Sequence, residues 1–190
     1  MDRRSAIKTT AILMGGAVSP LGLSVFINGC TQETGYESVG AFSPHQVGML
    51  VEIADIIIPE TEIPGAKSAQ VGPVMARIIS DCYPDRVLQD FFAGFAEFER
   101  QARQRFRKDF SKLEIAERAQ WLQEWRAQVL EEETEKAKQN LLFFAMVRDL
   151  TILCYTTSEI GSTQLLEYIP VPGRFDGCMD YKEEDKRYVI

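Results

Sequence analysis

The side chains that could do chemistry are few and scattered. His45 is the only histidine, so no Ser-His-Asp or Cys-His constellation can be built elsewhere in the chain. The four cysteines, Cys30, Cys82, Cys154 and Cys178, contain no C-x-x-C pair for a dithiol centre and no C-x-x-C-H for covalent haem. No G-x-G-x-x-G follows a strand, so there is no dinucleotide fingerprint. Asp55 and Asp149 are available carboxylates, yet no spacing ties two of them to one cleft. Arg148 and Asp149 interrupt an otherwise apolar run, and their simplest role is a buried polar network in which each satisfies the other. A hydrolase built on Asp149 or Glu159 is the weaker reading. Catalytic, cofactor-binding and metal-ligating residues are therefore expected to be absent, and the chain is a poor enzyme by its own residues.

The elements that would position these groups read as helices. Residues 141–155 are apolar all round apart from Arg148–Asp149, and a helix with no polar face must be surrounded. It is too short and too charged to span a bilayer. The expectation is an all-α, compact helical bundle around a buried central helix at about 141–157, followed by an irregular Pro/Gly-rich C-terminal tail. Upstream, Ser43, Pro44 and Gln46 form a capping box, and Val47, Leu50, Ile53, Ala54, Ile57 and Ile58 mark one buried face until Pro59. A loop with a Pro64-Gly65 turn follows, then a short helix at about 73–82. A long helix starts at Pro84 with the stripe Leu88, Phe91, Phe92, Phe95, Phe98, Ala102 and Phe106. Ser111 and Glu114 read as a second capping box before a helix carrying Ala116, Leu122, Trp125 and Val129. The acidic cluster at 131–135 is expected to start the next helix, where negative charge suits the dipole. No stretch alternates with period two for long enough to claim a sheet. A domain of this length, from Ser43 on, buries roughly 70% of its unfolded surface.

The N-terminal end has a different character. Arg3, Arg4 and Lys8 precede an uncharged, mostly apolar run from 11 to 27 broken by glycines and Pro20, the layout of an export signal. The paired arginines with a following lysine resemble the twin-arginine signal, which carries folded proteins across the bacterial inner membrane; the plainer alternative is an ordinary Sec signal. Ile27-Asn28-Gly29-Cys30 resembles a lipobox, which makes Cys30 the lipidation candidate. The organisation read from this is a leader with lipobox at 1–29, a flexible tether at 30–42 and a helical domain at 43–190.

Removing Arg3, Arg4 and Lys8 from the 21 basic residues, and Asp2 from the 28 acidic ones, leaves a net charge near −9. Such a balance disfavours nucleic acid and anionic headgroups as partners. With Cys30 set aside, three cysteines remain, an odd count that leaves one thiol unpaired or paired with another chain. Cys154 reads as a small hydrophobe inside the apolar helix. Cys178 is the most accessible candidate for a bridge, and its partner stays open.

The tail suggests recognition. Thr156, Thr157 and Ser158 end the apolar helix with hydroxyls, and Gly161 suits a helix-terminating position. From Tyr168 to Cys178, Pro170 and Pro172 favour extended backbone. Tyr168, Arg174 and Phe175 are residue types enriched at interface cores. The rival reading is a tail that wraps its own helices.

Taken together, the leader, I-A-D-x-I-I-P-E-T-x-x-P-G-A at 53–66, Tyr155-x-x-Ser158-Glu159-x-Gly161, and Tyr168-x-Pro170-x-Pro172-Gly173 closing at Cys178 resemble the gluconate 2-dehydrogenase subunit 3 family. The resemblance covers nearly the whole chain, with several motifs in the right order. It implies a small, non-flavin accessory subunit of a periplasmic, membrane-associated sugar or gluconate dehydrogenase. The FAD then belongs to a GMC-type large subunit, and a c-type cytochrome subunit often accepts the electrons. The small subunit would help the flavoprotein mature and carry it through the twin-arginine pore. It further implies an interchain disulfide from Cys178 and a partner interface drawn from Tyr155, Ser158, Glu159, Tyr168, Pro170, Pro172, Gly173, Arg174, Phe175 and Cys178. The rival from another class is a free-standing exported lipoprotein binding module without an enzyme partner.

Overall fold

Helix α1, Pro44–Ile57, begins where the sequence requires. The Gln46 N–H donates to Ser43 Oγ at 3.3 Å, and the Ser43 N–H donates to Gln46 Oε1 at 2.9 Å, so two orphan donors are satisfied reciprocally. The computed structural model describes residues 35–131, 134–169, 171, 173, 178, 180 and 188–189. The leader and lipobox, with Arg3, Arg4, Lys8 and Cys30, lie outside the described residues, as do Pro170, Pro172, Arg174 and Phe175.

After α1 the chain folds back on itself. The Ala66 N–H donates to the Ile58 carbonyl at 2.9 Å. A Cβ on Gly65 would stand 2.6 Å from the Glu60 nitrogen, so this close approach admits only glycine. Helix α2, Val71–Cys82, starts two residues before the expected Pro73. Pro73 is tolerated there because N–H groups of the first turn have no partner within the helix anyway. Helix α3 is Asp85–Phe106, ended by Arg107 in the left-handed region at φ 58°. A 3-10 turn at Phe110–Lys112 leads to α4, Ile115–Glu131, and then to α5, Glu135–Thr156.

Two local expectations are corrected. Ser111 sits inside the 3-10 turn and does not cap α4. The Glu114 N–H instead donates to the Glu117 carboxylate at 3.1 Å, the same i to i+3 return without a hydroxyl. The acidic cluster is split: Glu131 ends α4, Glu135 opens α5 behind the Thr134 cap, and residues 132 and 133 lie outside the described set.

The all-α expectation holds, with α5 at the centre touching each of the other four α-helices among the described residues. Its tightest approach is to α3, where a Cβ on Gly94 would lie 2.5 Å from the Gln139 carbonyl oxygen. Around that crossing Phe95 stacks on Phe143 at 5.2 Å, and Phe98 meets Trp125 edge-on at 5.0 Å. Each such buried ring contributes about 1.5–3 kcal/mol. A polar brace ties three segments together at the edge of this core: Glu52 of α1 accepts from Lys67 at 2.8 Å and from Arg118 of α4. Burial lowers the pKa of the Arg118 guanidinium.

The last two residues of the expected tether are fixed to the body. Phe42 is 1% exposed, with its ring against Phe91 and Phe92. The Ala41 N–H donates to Ser80 Oγ at 3.0 Å. Gly35, Ser38 and Gly40 suggested slack there, but one aromatic side chain with an apolar slot to enter is enough to hold the end of the segment down.

Candidate partner-docking face

The face is built on the half of α5 that the other helices leave open. The helix was expected to be enclosed, and it is not. Leu141, Ile152 and Leu153 are 40–50% exposed, whereas Phe143, Val147, Leu150 and Cys154 on the opposite side are buried. Four helices cover one side of α5 only. The Arg148–Asp149 pair is likewise exposed rather than buried, bridged at 2.8 Å in the middle of this open apolar side. Each charge neutralises the other where neither has a buried partner. The hydrogen bond to Asp149 raises the pKa of Arg148.

The C-terminal end of α5 explains the Tyr155, Ser158 and Gly161 spacing. Tyr155 is buried, and its hydroxyl donates to the Pro64 carbonyl at 2.7 Å; burial pushes its phenol pKa up. Ser158 Oγ donates to the Tyr155 carbonyl at 2.7 Å and accepts from the Gly161 N–H at 3.0 Å. A Cβ on Gly161 would fall 1.8 Å from the Tyr155 carbonyl oxygen. These residues cap the helix and turn the chain. Tyr155 thus faces inward, Ser158 is half-buried, and Glu159 is exposed.

The turn continues as a single π-type turn at Gly161–Leu165, then as a two-residue strand β1, Glu167–Tyr168. β1 pairs in parallel with β2, Tyr188–Val189, in the register Glu167 to Tyr188 and Tyr168 to Val189. This small sheet was not expected, because two residues are too few for an alternating pattern. Leu165, Tyr168 and Val171 are 41%, 54% and 79% exposed. Gly173 adopts φ 74°, a left-handed conformation that suits glycine. Cys178 is exposed.

The sequence therefore points to Tyr168, Gly173 and Cys178 at the surface of this end, while Leu141, Ile152, Leu153, Leu165 and Val171 were missed. The signal was available: a helix with no polar face and too few helices to surround it must show apolar side chains somewhere. Among the described residues no group of three His, Cys, Asp or Glu side chains is placed to hold a metal ion. No helix among them is long and apolar enough to cross a membrane. Burial raises the pKa of the Cys154 thiol, the opposite of what a reactive cysteine needs.

The family model for gluconate 2-dehydrogenase subunit 3 matches residues 44–173. The chain belongs to the gluconate 2-dehydrogenase subunit 3 family. The match opens at the first residue of α1 and closes at Gly173, so it takes in the five α-helices of the described residues and β1. No curated protein and no solved structure matches the chain. As a subunit 3 chain it is an accessory subunit of a gluconate dehydrogenase type of complex.

Proposed function

We infer that this chain is a non-catalytic small subunit of an FAD-dependent sugar or gluconate dehydrogenase, and that it assists maturation and twin-arginine export of the flavoprotein subunit. FAD sits on that GMC-type partner, and a c-type cytochrome can take the electrons onward. The chain itself works on the periplasmic side of the membrane, held there by acylated Cys30.

One observation carries this reading. Leu141, Ile152 and Leu153 of α5 and, beyond it, Leu165, Tyr168 and Val171 are exposed apolar side chains, whose burial would stabilise a complex and whose exposure serves no purpose within the chain. The leader supplies the rest of the logic. A folded, FAD-loaded protein cannot be threaded unfolded, so one lacking its own signal must travel with a chain that has one.

Co-expression with the flavoprotein subunit tests it: the two co-purify, and replacing Arg3 and Arg4 by Lys leaves the flavoprotein in the cytoplasm. Normal export of the flavoprotein in that double variant would end the carrier role.

A further inference from the structure

The C-terminal half of α3 carries a second surface that the accessory role does not use. Arg100, Arg103 and Arg107 line one groove of about 470 Å³ with Ala96, Glu99 and Gln104. Arg105, Lys108 and Lys112 bring the cations between residues 100 and 112 to six, against a single acid, Asp109. The carboxylates that accompany these cations lie beneath them. Arg100 is 52% exposed over Glu97 at 22%, Arg103 57% over Glu99 at 26%, and Lys112 49% over Asp109 at 31%. The outermost layer is thus positive on a chain whose net charge is −7. Arg107, held in the left-handed conformation at the helix end, and Lys108 have no ion-pair partner among the described residues. Arg100 grips Glu97 through Nε and one terminal nitrogen, which leaves guanidinium N–H groups for phosphate oxygens. Three residues beyond Lys112, Ile115 is 66% exposed, so the cations border an apolar side chain able to enter a lipid interface.

The start of α1 reaches this face: His45 lies 3.9 Å from Glu99, itself a wall of the groove. The whole-chain charge argues against anionic headgroups, but screening over about 8–10 Å makes the local layer decisive.

We propose that the arginine face of α3 docks on the anionic phospholipid headgroups of the membrane that holds the complex. The proposal rests on the membrane-held reading above for the presence of that bilayer, but not on acylation or on the flavoprotein. Its test uses the body Gly35–Ile190, which is a compact unit by itself and lacks both the basic leader and Cys30. Vesicles of phosphatidylcholine with 30% phosphatidylglycerol are expected to sediment the body, and pure phosphatidylcholine vesicles are not. At 1 M salt, where screening acts within about 3 Å, the binding should vanish. Arg107→Gln with Lys108→Gln, checked for an unchanged helical spectrum, should weaken it about 10-fold or more. Equal binding to both vesicle types, or to neither, overturns the proposal. So does a result in which that double variant loses the flavoprotein while anionic vesicles stay unbound, since the face would then serve a protein partner. If instead the wild-type body binds anionic vesicles but no flavoprotein, the accessory reading fails and this one stands.

Discussion

The hydroxyl of Tyr155 and the carbonyl of Pro64 meet at 2.7 Å, 91 residues apart in the chain. This one bond joins the folded-back loop after α1 to the last turn of the central helix. Two sequence motifs with no visible connection are the two halves of one joint. The loop needs Gly65 to pass close to residues 58–60, and the helix end needs Ser158 and Gly161 to turn away beneath it.

Removing the hydroxyl tests the joint. Tyr155→Phe keeps the buried ring and leaves the Pro64 carbonyl without its donor, at a cost of about 1–2 kcal/mol. The melting temperature should fall by about 2–8 °C, read by circular dichroism. An unchanged melting temperature would mean that the loop is held by its backbone contacts alone.

Gly94→Ala probes the central crossing. The added methyl would meet the Gln139 carbonyl and the Phe143 Cβ at 2.5 and 2.8 Å, so α3 and α5 must move apart. Overpacking of this kind costs about 1–3 kcal/mol, seen as a lower urea midpoint with an unchanged slope. A variant as stable as the parent would show that the two helices can separate freely.

The Glu97 carboxylate is held at a pKa of about 2, against 4.5 for the free group, first by hydrogen bonds from Arg100 and then by one from Gln101. Because the folded value is the lower one, its contribution is complete above about pH 4.5 and is lost as the pH falls towards 2. Glu97→Gln should therefore narrow the stability difference from the parent across that window, and at pH 7 cost less than about 1 kcal/mol, since exposed pairs are weak. Urea midpoints at pH 7, 4.5 and 3 check this. A gap that stays constant with pH would remove the assignment.

On the open side of α5, Ile152→Asp and Leu153→Asp change side chains that are already half exposed. Each should alter stability by no more than about 0.5 kcal/mol yet abolish co-purification with the flavoprotein subunit. Retained complex formation by the folded double variant would move the docking face elsewhere.

The helices were legible because their signals are local. Ser43 and Gln46 fix the start of α1, and phenylalanines three and four residues apart fix the buried side of α3. What could not be read was which side of α5 faces outward. Periodicity locates the buried side by contrast with a polar one, and this helix offers no contrast. The Arg148–Asp149 pair misled for the same reason: surrounded by apolar residues in sequence, it reads as interior, though the helix turns it outward. Phe42 escaped notice because a lone aromatic among Gly and Ser carries no period. The Tyr155–Pro64 bond depends on a tertiary approach that no local pattern encodes.

Phe42 also decides how the body responds to being towed. Its ring is wedged against Phe91 and Phe92, and the neighbouring Ala41 N–H is stitched to Ser80. A pull on the upstream chain is therefore not taken up by slack. It reaches the core at Phe42, and peeling begins only once that ring is extracted, at about 2–3 kcal/mol. The segment works as a strain relief, like the clamp that keeps tension on a cable away from its solder joints.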